Sequence, residues 1–493
     1  MRNLVIVLVL AIFVAGGVFY SVNRGRGMEY STTSAEAYDL FLKGDQAYNS
    51  FQWQRAEHLL QKALELDPSF AMAQAALTDV YAAWSNSEAF KESMTTADSL
   101  ATLLPDETER MVVQLRLSRY NKQGHARQDS LLARLELSVP NHPIVLVTKA
   151  LRAMEDQDID LAKATWDQLL KIDPNYARAY NWLGYLEANQ GNYDQAISHL
   201  RKYAFLSPDL ANPHDSMGEI LSYIGRYEEA EREFIQALEV QPDFFHSLLH
   251  LARVYLEQGK IEKGVDLLEQ TRSQIAGTKY EYEVDALLVA TYYSNKLEKE
   301  CDMACVRFFS NHPESFDGGF FRAIHLTGHG KYDEAQAVFD SLMTVAAEWK
   351  YFKETERGTM HYQRIKHTFN AVNAELLGEL DTAAEEWRLC LANTVGIPPH
   401  EKLTWKTSYS EVLLKLERNE EAFAQAEQIL AINPRLIHPL LVYISAGTAL
   451  GRFDEARVAM ANLDKILEQA DPDLPDKEQA AALRAVLAKH PSS

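Results

Sequence analysis

Three pairs of side chains stand at a spacing that would bring reactive atoms together. His246 and His250, His325 and His329, and Cys301 and Cys305 are each four residues apart, which on an α-helix sets both members on one face with Cβ atoms about 5–6 Å apart. Two imidazoles so placed are the start of a zinc-class metal site. Neither histidine pair has the glutamate of a helical zincin motif beside it, and two ligands do not close a coordination shell, so no metal site is expected. The cysteine pair is too widely set for a bridge whose Cβ atoms want about 3.8 Å and reads as two buried thiols. Cys390 is the third cysteine, and three make no disulfide framework and say little about redox compartment. Nothing in the chain reads as a phosphate loop, dinucleotide fingerprint, nucleophile elbow or kinase signature. The chain is expected to be non-enzymatic, with no catalytic residue and no cofactor.

The elements carrying these pairs are set by a repeat. Gly184, Gly191, Tyr193, Ala196, Leu200 and Pro208 recur as Gly218, Gly225, Tyr227, Ala230, Phe234 and Pro242, each step being 34 residues. Self-similarity at that period marks units of two helices that bury their apolar faces only by stacking. A helix over Arg178–Asn189 is predicted to end in a glycine turn at Gly191, where positive φ is cheap for glycine alone. A second helix is predicted over Tyr193–Phe205. Gly184 and Gly218 inside first helices cost about 1 kcal/mol each against alanine, so close approach of the paired helix is expected to compensate. Ala196 and Ala230 are expected to be the matching small residues, with Leu200 and Phe234 filling the groove. In the fourth unit of this phase, Cys301 and Cys305 fall at the small and groove-filling positions.

This stretch resembles the tetratricopeptide repeat, carried by Leu183-Gly184, Ala196, Leu200 and Pro208. The resemblance implies an all-α fold, a solenoid of about twelve helix pairs. Residues 37–143 read as N-terminal, partly degenerate units, 144–342 as the central array, 343–363 as an insertion, 364–470 as C-terminal units and 476–490 as a capping helix. The insertion holds Trp349, Tyr351, Phe352, His361 and Tyr362. Phrases such as Ala35-Glu36-Ala37-Tyr38, Leu66-Asp67-Pro68-Ser69-Phe70-Ala71 and Leu104-Pro105-Asp106-Glu107 also resemble the repeat halves of bacterial membrane-anchored serine/threonine kinases and nucleotide cyclases. No catalytic domain stands before them here, so that likeness implies a sensory or scaffolding half only.

Ahead of the array, Leu4–Val22 is an uncharged apolar run between Arg2 and the pair Arg24 and Arg26. Its length fits one membrane span. A cleaved signal peptide is the rival, with Ala15-Gly16-Gly17 as the small residues near a cut. The anchor (residues 1–26, then a linker over 27–36) is the favoured reading. It predicts a single-pass protein of the bacterial inner membrane with a periplasmic repeat domain.

At 47% hydrophobic and 24% charged the chain can bury a large core. Its net charge is −21, and because Arg2, Arg24 and Arg26 alone are charged before Met28, the rest is more acidic still. Nucleic acid is a poor partner for such a surface. What the repeats offer is a face lined by first helices: Arg178, Asn181, Tyr185, Asn189, Asp215, Glu219, Tyr223, His246, Arg253 and Glu257. Tyr and Arg carry much of the energy of protein contacts. The expected function is a membrane-anchored scaffold that binds one or more proteins, as an assembly or accessory subunit of an envelope or membrane complex. A non-enzymatic sensory subunit that binds a small ligand is the alternative.

Overall fold

A computed structural model describes residues 30–49, 52–83, 87–120, 125–275, 281–295, 297–312, 316–349, 352–353 and 355–490. Among these the chain forms 25 α-helices and one 3-10 turn, without a strand. They pair in sequence as twelve hairpins followed by a single helix, Asp476–Leu487. Each second helix buries one stripe of helical period. In Trp53–Leu66 the stripe is Ala56, Leu60 and Ala63, all at 0% exposure, and in Tyr227–Val240 it is Ala230, Phe234 and Ala237.

The chain divides into two compact units. One takes residues up to Leu186 together with His199–Leu210, the other Glu187–Ser198 and everything from Ala211 on. Two of the turns between hairpins in the first unit are Asp-Pro turns, at residues 67–68 and 173–174. The Asp67 carboxylate accepts the Ser69 N–H at 3.0 Å, and Asp173 accepts that of Asn175 at the same distance. The second carboxylate oxygen of Asp67 accepts the Thr32 hydroxyl at 2.7 Å and the Thr33 N–H at 2.6 Å. Glu109 accepts the Ser31 N–H at 2.7 Å. From Tyr30 on, the residues assigned to a linker over 27–36 are therefore held against this unit.

The second unit has a tie that the repeat phase did not foresee. Asn433, at the same turn position, donates through Nδ2 to the Tyr227 hydroxyl at 3.0 Å and to the Ser222 carbonyl at 3.4 Å. Arg435 reaches Glu228 at 2.6 Å, and Asp471 donates its N–H to the Gly259 carbonyl at 3.0 Å. Hairpins some 200 residues apart in sequence are thereby joined. Gly225, at φ +74°, passes so close that a Cβ there would lie 2.4 Å from Asn433 Oδ1.

The glycines fall as the repeat requires, with one change of partner. Gly191 sits at φ +82°, closing a first helix observed over Ala177–Asn189 ahead of a second over Tyr193–Leu206. The space left by Gly218 is filled by the Phe234 ring, whose Cε1 would lie 2.7 Å from an added Cβ. Ala230 is buried too, but the groove-filling aromatic rather than the alanine faces the glycine.

The expected location is corrected. Among the described residues no helix is long and apolar enough to cross a membrane. Glu356–Leu377 has the length, at 22 residues, but carries Arg357, Arg364, Lys366 and Glu375. The most apolar, Ile437–Ala449, has 13 residues, or about 20 Å of helix against a hydrocarbon core of about 30 Å. The Leu4–Val22 run lies outside the described residues. Placement as a single-pass inner-membrane protein with a periplasmic repeat domain is not supported.

Candidate functional site

Of the ten first-helix positions, Arg178, Asn181 and Tyr185 belong to the first unit and the other seven to the second. In the first unit the Arg178 guanidinium lies over the Tyr48 ring, 5.6 Å from its centroid, while the Tyr176 hydroxyl donates to Asn49 Oδ1 at 3.2 Å. Asn181 is buried, with an Oδ1 that has no hydrogen-bond partner among the described residues. Tyr185 is half-buried. Arg178 is thus occupied by neighbours in its own unit.

The second unit brings most of its seven positions together. On Asn212–Tyr223, Asp215 is buried and accepts the Ser247 hydroxyl at 2.7 Å and His250 Nδ1 at 3.0 Å. One turn on, Glu219 accepts a short hydrogen bond from the Tyr223 hydroxyl. The Tyr223 ring stacks on His400 with centroids 4.0 Å apart and planes within 16°. Next to these, Phe245–Glu257 supplies His246, packed on the Phe245 ring at 3.7 Å, and the exposed Arg253 and Glu257. Asn189 is exposed, apart from this group.

The charge balance of this face is set by crowded carboxylates. Glu257 is open to solvent, yet helices stand close on its other sides, and that partial loss of water lifts its carboxyl to about 7 against the pull of the Tyr227 hydroxyl and Arg253. Burial lifts Glu401 as well; Arg357 opposes and Glu219 adds to the rise. Burial pushes His400 down to about 4, so its ring is neutral at physiological pH, and its Nδ1 has no hydrogen-bond partner among the described residues. Burial alone would lower His250, but the Asp215 carboxylate outweighs it and holds the imidazole above its ordinary value.

His400 and Glu401 were not among the sequence candidates because they lie between repeats, at Pro399–Leu403, where periodicity is silent. Tyr227 and Asn433 were missed for a different reason. Tyr227 is a second-helix position, and Asn433 a turn position whose Asn-Pro echoes the Asp-Pro of residues 67–68 and 173–174. That echo was the available signal.

The three reactive pairs differ in their surroundings. Cys305 is 2% exposed against Val289, Ala304 and Phe308, the packing role its repeat phase predicts, and Cys301 and Cys305 are free thiols. His250 is engaged with Asp215 as above. His325 and His329 are met by Asp302, with ligand atoms of all three within 4.8 Å of one another. The aromatic residues of 343–363 stack on each other, Trp349 on Phe352 at 5.4 Å and Phe352 edge-on to His361 at 5.4 Å; Tyr351 is outside the described residues.

Comparison with known proteins agrees with this architecture. Residues 147–211 and 225–281 each match a family model described as tetratricopeptide repeat. Superkiller protein 3 of Schizosaccharomyces pombe is 29% identical over 119 residues, which is 23% of this chain and 8% of that protein. The protein O-mannosyl-transferase TMTC3 of Mus musculus is 23% identical over 112 residues, 22% of this chain and 12% of the relative. The chain thus spans about a tenth of the length of these curated relatives. Among solved structures, yeast Tom70 aligns over 92% of this chain and 96% of its own at 14% identity and a TM-score of 0.37. The Cut9-Hcn1 hetero-tetramer of the APC/C aligns over 83% and 84% at 15% identity and 0.36. The chain carries tetratricopeptide repeats on an all-α scaffold of a kind suited to protein–protein interaction.

Proposed function

We propose that the chain is a non-catalytic scaffold, an assembly or accessory subunit, whose second unit takes a basic segment of a partner protein on the face formed by Glu219, Tyr223, Arg253, Glu257 and Glu401. The observation that carries the reading is the pair of carboxyls lifted above their ordinary range, Glu257 and Glu401. A carboxyl rises when it gives up water without gaining enough positive charge. Folding has therefore left on this face carboxyls that have lost water and are short of a counter-charge, which a lysine or arginine from outside would supply, and such complementarity sets specificity and on-rate. The Tyr223–His400 stack supplies a rigid aromatic surface beside it, of the type that anchors protein contacts.

The test is binding of fluorescent peptides of equal length and differing charge to the purified chain, followed by anisotropy. Basic peptides with one aromatic residue are expected to bind at least about tenfold more tightly than acidic ones, with an affinity that falls as salt is raised. The double variant Glu219→Gln, Glu401→Gln should remove that preference. Equal affinity for acidic and basic peptides would defeat the reading. Saturable binding of small solutes with none of peptides would favour the ligand-sensing alternative.

A further inference from the structure

We propose that Asp302, His325 and His329 form a site for one divalent transition-metal ion of the zinc class, which ties the second helix of one repeat to the first helix of the next. Asp302 projects from Glu298–Asn311, and His325 from Phe316–Gly328. His329 follows one turn on, its N–H bonded to the His325 carbonyl at 3.2 Å. Asp302 Oδ1 lies 2.9 Å from His329 Nε2 and 3.4 Å from His325 Nδ1. With metal–ligand bonds of about 2.0–2.1 Å, the edges of a tetrahedral shell measure about 3.4 Å. The edge to His325 matches that value, the edge to His329 is the length of a hydrogen bond, and all three donor atoms lie within 4.8 Å of one another, so a small side-chain adjustment sets them round one ion. Asp302 and His329 are about half exposed and His325 less so, which leaves the outer positions of the shell to water or a fourth ligand.

The donor set selects the cation. Two imidazoles and one carboxylate suit zinc, nickel, copper or cobalt and not the all-oxygen shells of calcium or magnesium. The second histidine pair of the chain is an internal contrast. Its spacing is the same, but the Asp215 that meets His250 is buried and already accepts the Ser247 hydroxyl, and His246 lies against Phe245 and does not converge with them. Among the described residues the Asp302 group is the one whose atoms converge in this way.

The position gives the ion a purpose. Around this junction the apolar core is in two small patches, Val289, Ala304, Cys305 and Phe308 on one side and Ala323, Phe339, Met343 and Phe369 on the other. The Phe308–Phe321 ring contact at 5.9 Å joins them. An ion bound at Asp302, His325 and His329 adds a crosslink where packing is thin, and binding to the folded state alone raises stability by mass action.

The experiment titrates the untagged, chelator-treated full chain with Co²⁺, reading the visible absorption of the bound ion, then displaces it with Zn²⁺. One equivalent is expected to bind, with a rise in Tm on addition of zinc. Asp302→Asn and His329→Ala should each weaken binding by about a hundredfold or more, since even outer-shell partners are worth 10–100-fold, and should lose the zinc-dependent rise in Tm. His246→Ala should bind as the wild type does. Absence of saturable binding up to about millimolar Co²⁺, or binding that survives both variants, would overturn the proposal.

Discussion

Two stretches built from one repeat are held together in different ways. Between Tyr30 and Val145 a single apolar core runs through seven helices, including Phe41, Leu60, Phe70, Val113 and Leu135. Between Glu281 and Phe369 the described residues form smaller separate patches, and charge takes over part of the work. Asp285, 1% exposed, is met by Arg272 at 2.6 Å, Arg307 at 3.4 Å and His312 at 3.3 Å. In a stacked array stability is close to a sum of unit and interface terms. A thin interface therefore survives where an ionic tie is placed on it, and the continuous core needs no such tie at its surface.

Of the charges buried in the continuous core, Arg116 is the one whose removal gives the largest expected effect. Arg116 bonds Asp79 at 2.7 Å and Asp45 at 2.5 Å, with its side chain 5% exposed and that of Asp79 at 0%. Arg116→Met leaves the buried Asp79 carboxylate with only the more distant Arg119, 3.6 Å away, at a cost of about 3–5 kcal/mol. Denaturant unfolding should show the loss. Phe308→Ala empties a large fraction of a four-residue patch for about 3–5 kcal/mol. The two variants should differ in kind. Hydrogen exchange in Arg116→Met should rise across the whole Tyr30–Val145 core, whereas in Phe308→Ala it should rise mainly within residues 281–343. Uniform loss of protection in Phe308→Ala would erase the distinction between the two regions.

Glycine substitutions probe how far the repeat alone dictates the fold, and they come next in size. Gly218→Ala drives a methyl into the Phe234 ring at 2.7 Å and should cost about 1–3 kcal/mol. Gly191→Ala meets nothing within 4 Å but must keep φ +82°, for about 1–2 kcal/mol. Both were readable from the sequence, because a period of 34 residues fixes which positions turn and which pack. The ends of the Tyr193 hairpin came out within one residue for the same reason. Asp302 was unreadable as a partner of His325 and His329, since periodicity within one helix says nothing of which side chain a neighbouring hairpin presents. His400, on a 3-10 turn outside the repeat, was equally silent, and so was the tie from Asn433 to Tyr227 across more than two hundred residues. Local pattern specifies the hairpins; contacts between distant hairpins depend on how many small rotations accumulate between them.

The turn residues of the two units sharpen the comparison at a smaller scale. Asp67 and Asn433 occupy the same place after a second helix, but one accepts from the chain at Thr32 and Thr33 and the other donates to Ser222 and Tyr227. Asn433→Ala should cost about 1–3 kcal/mol, the penalty of buried groups left unsatisfied, and should loosen the 212–275 hairpins without affecting residues 30–145. Asn433→Asp should be worse than alanine, since both lose the donor but aspartate sets a buried carboxylate oxygen against the Ser222 carbonyl. Thermal unfolding of the three proteins side by side gives the ranking, and alanine below aspartate would show that volume rather than the buried carboxylate matters at this turn.

The smallest effect is one of pH, and it isolates the acidic face of the second unit. Glu257 titrates near 7 in the folded chain against an ordinary value of 4.5, so the folded state holds its proton more tightly than the unfolded one. The stability this contributes is fully present below about 4.5 and is lost as pH rises through about 7. His250, also raised, loses its share in the same direction, so a falling Tm between pH 5.5 and 8 does not by itself identify Glu257. The difference between wild type and Glu257→Gln does. The variant keeps the shape and the neighbours Tyr227 and Arg253 but has no proton to lose, and its Tm should fall less over that interval, by a margin reduced through the solvent that still reaches the carboxylate. Parallel Tm-against-pH curves would mean that the face is not crowded with charge, and the attraction it is proposed to hold for a basic partner would lose its physical basis.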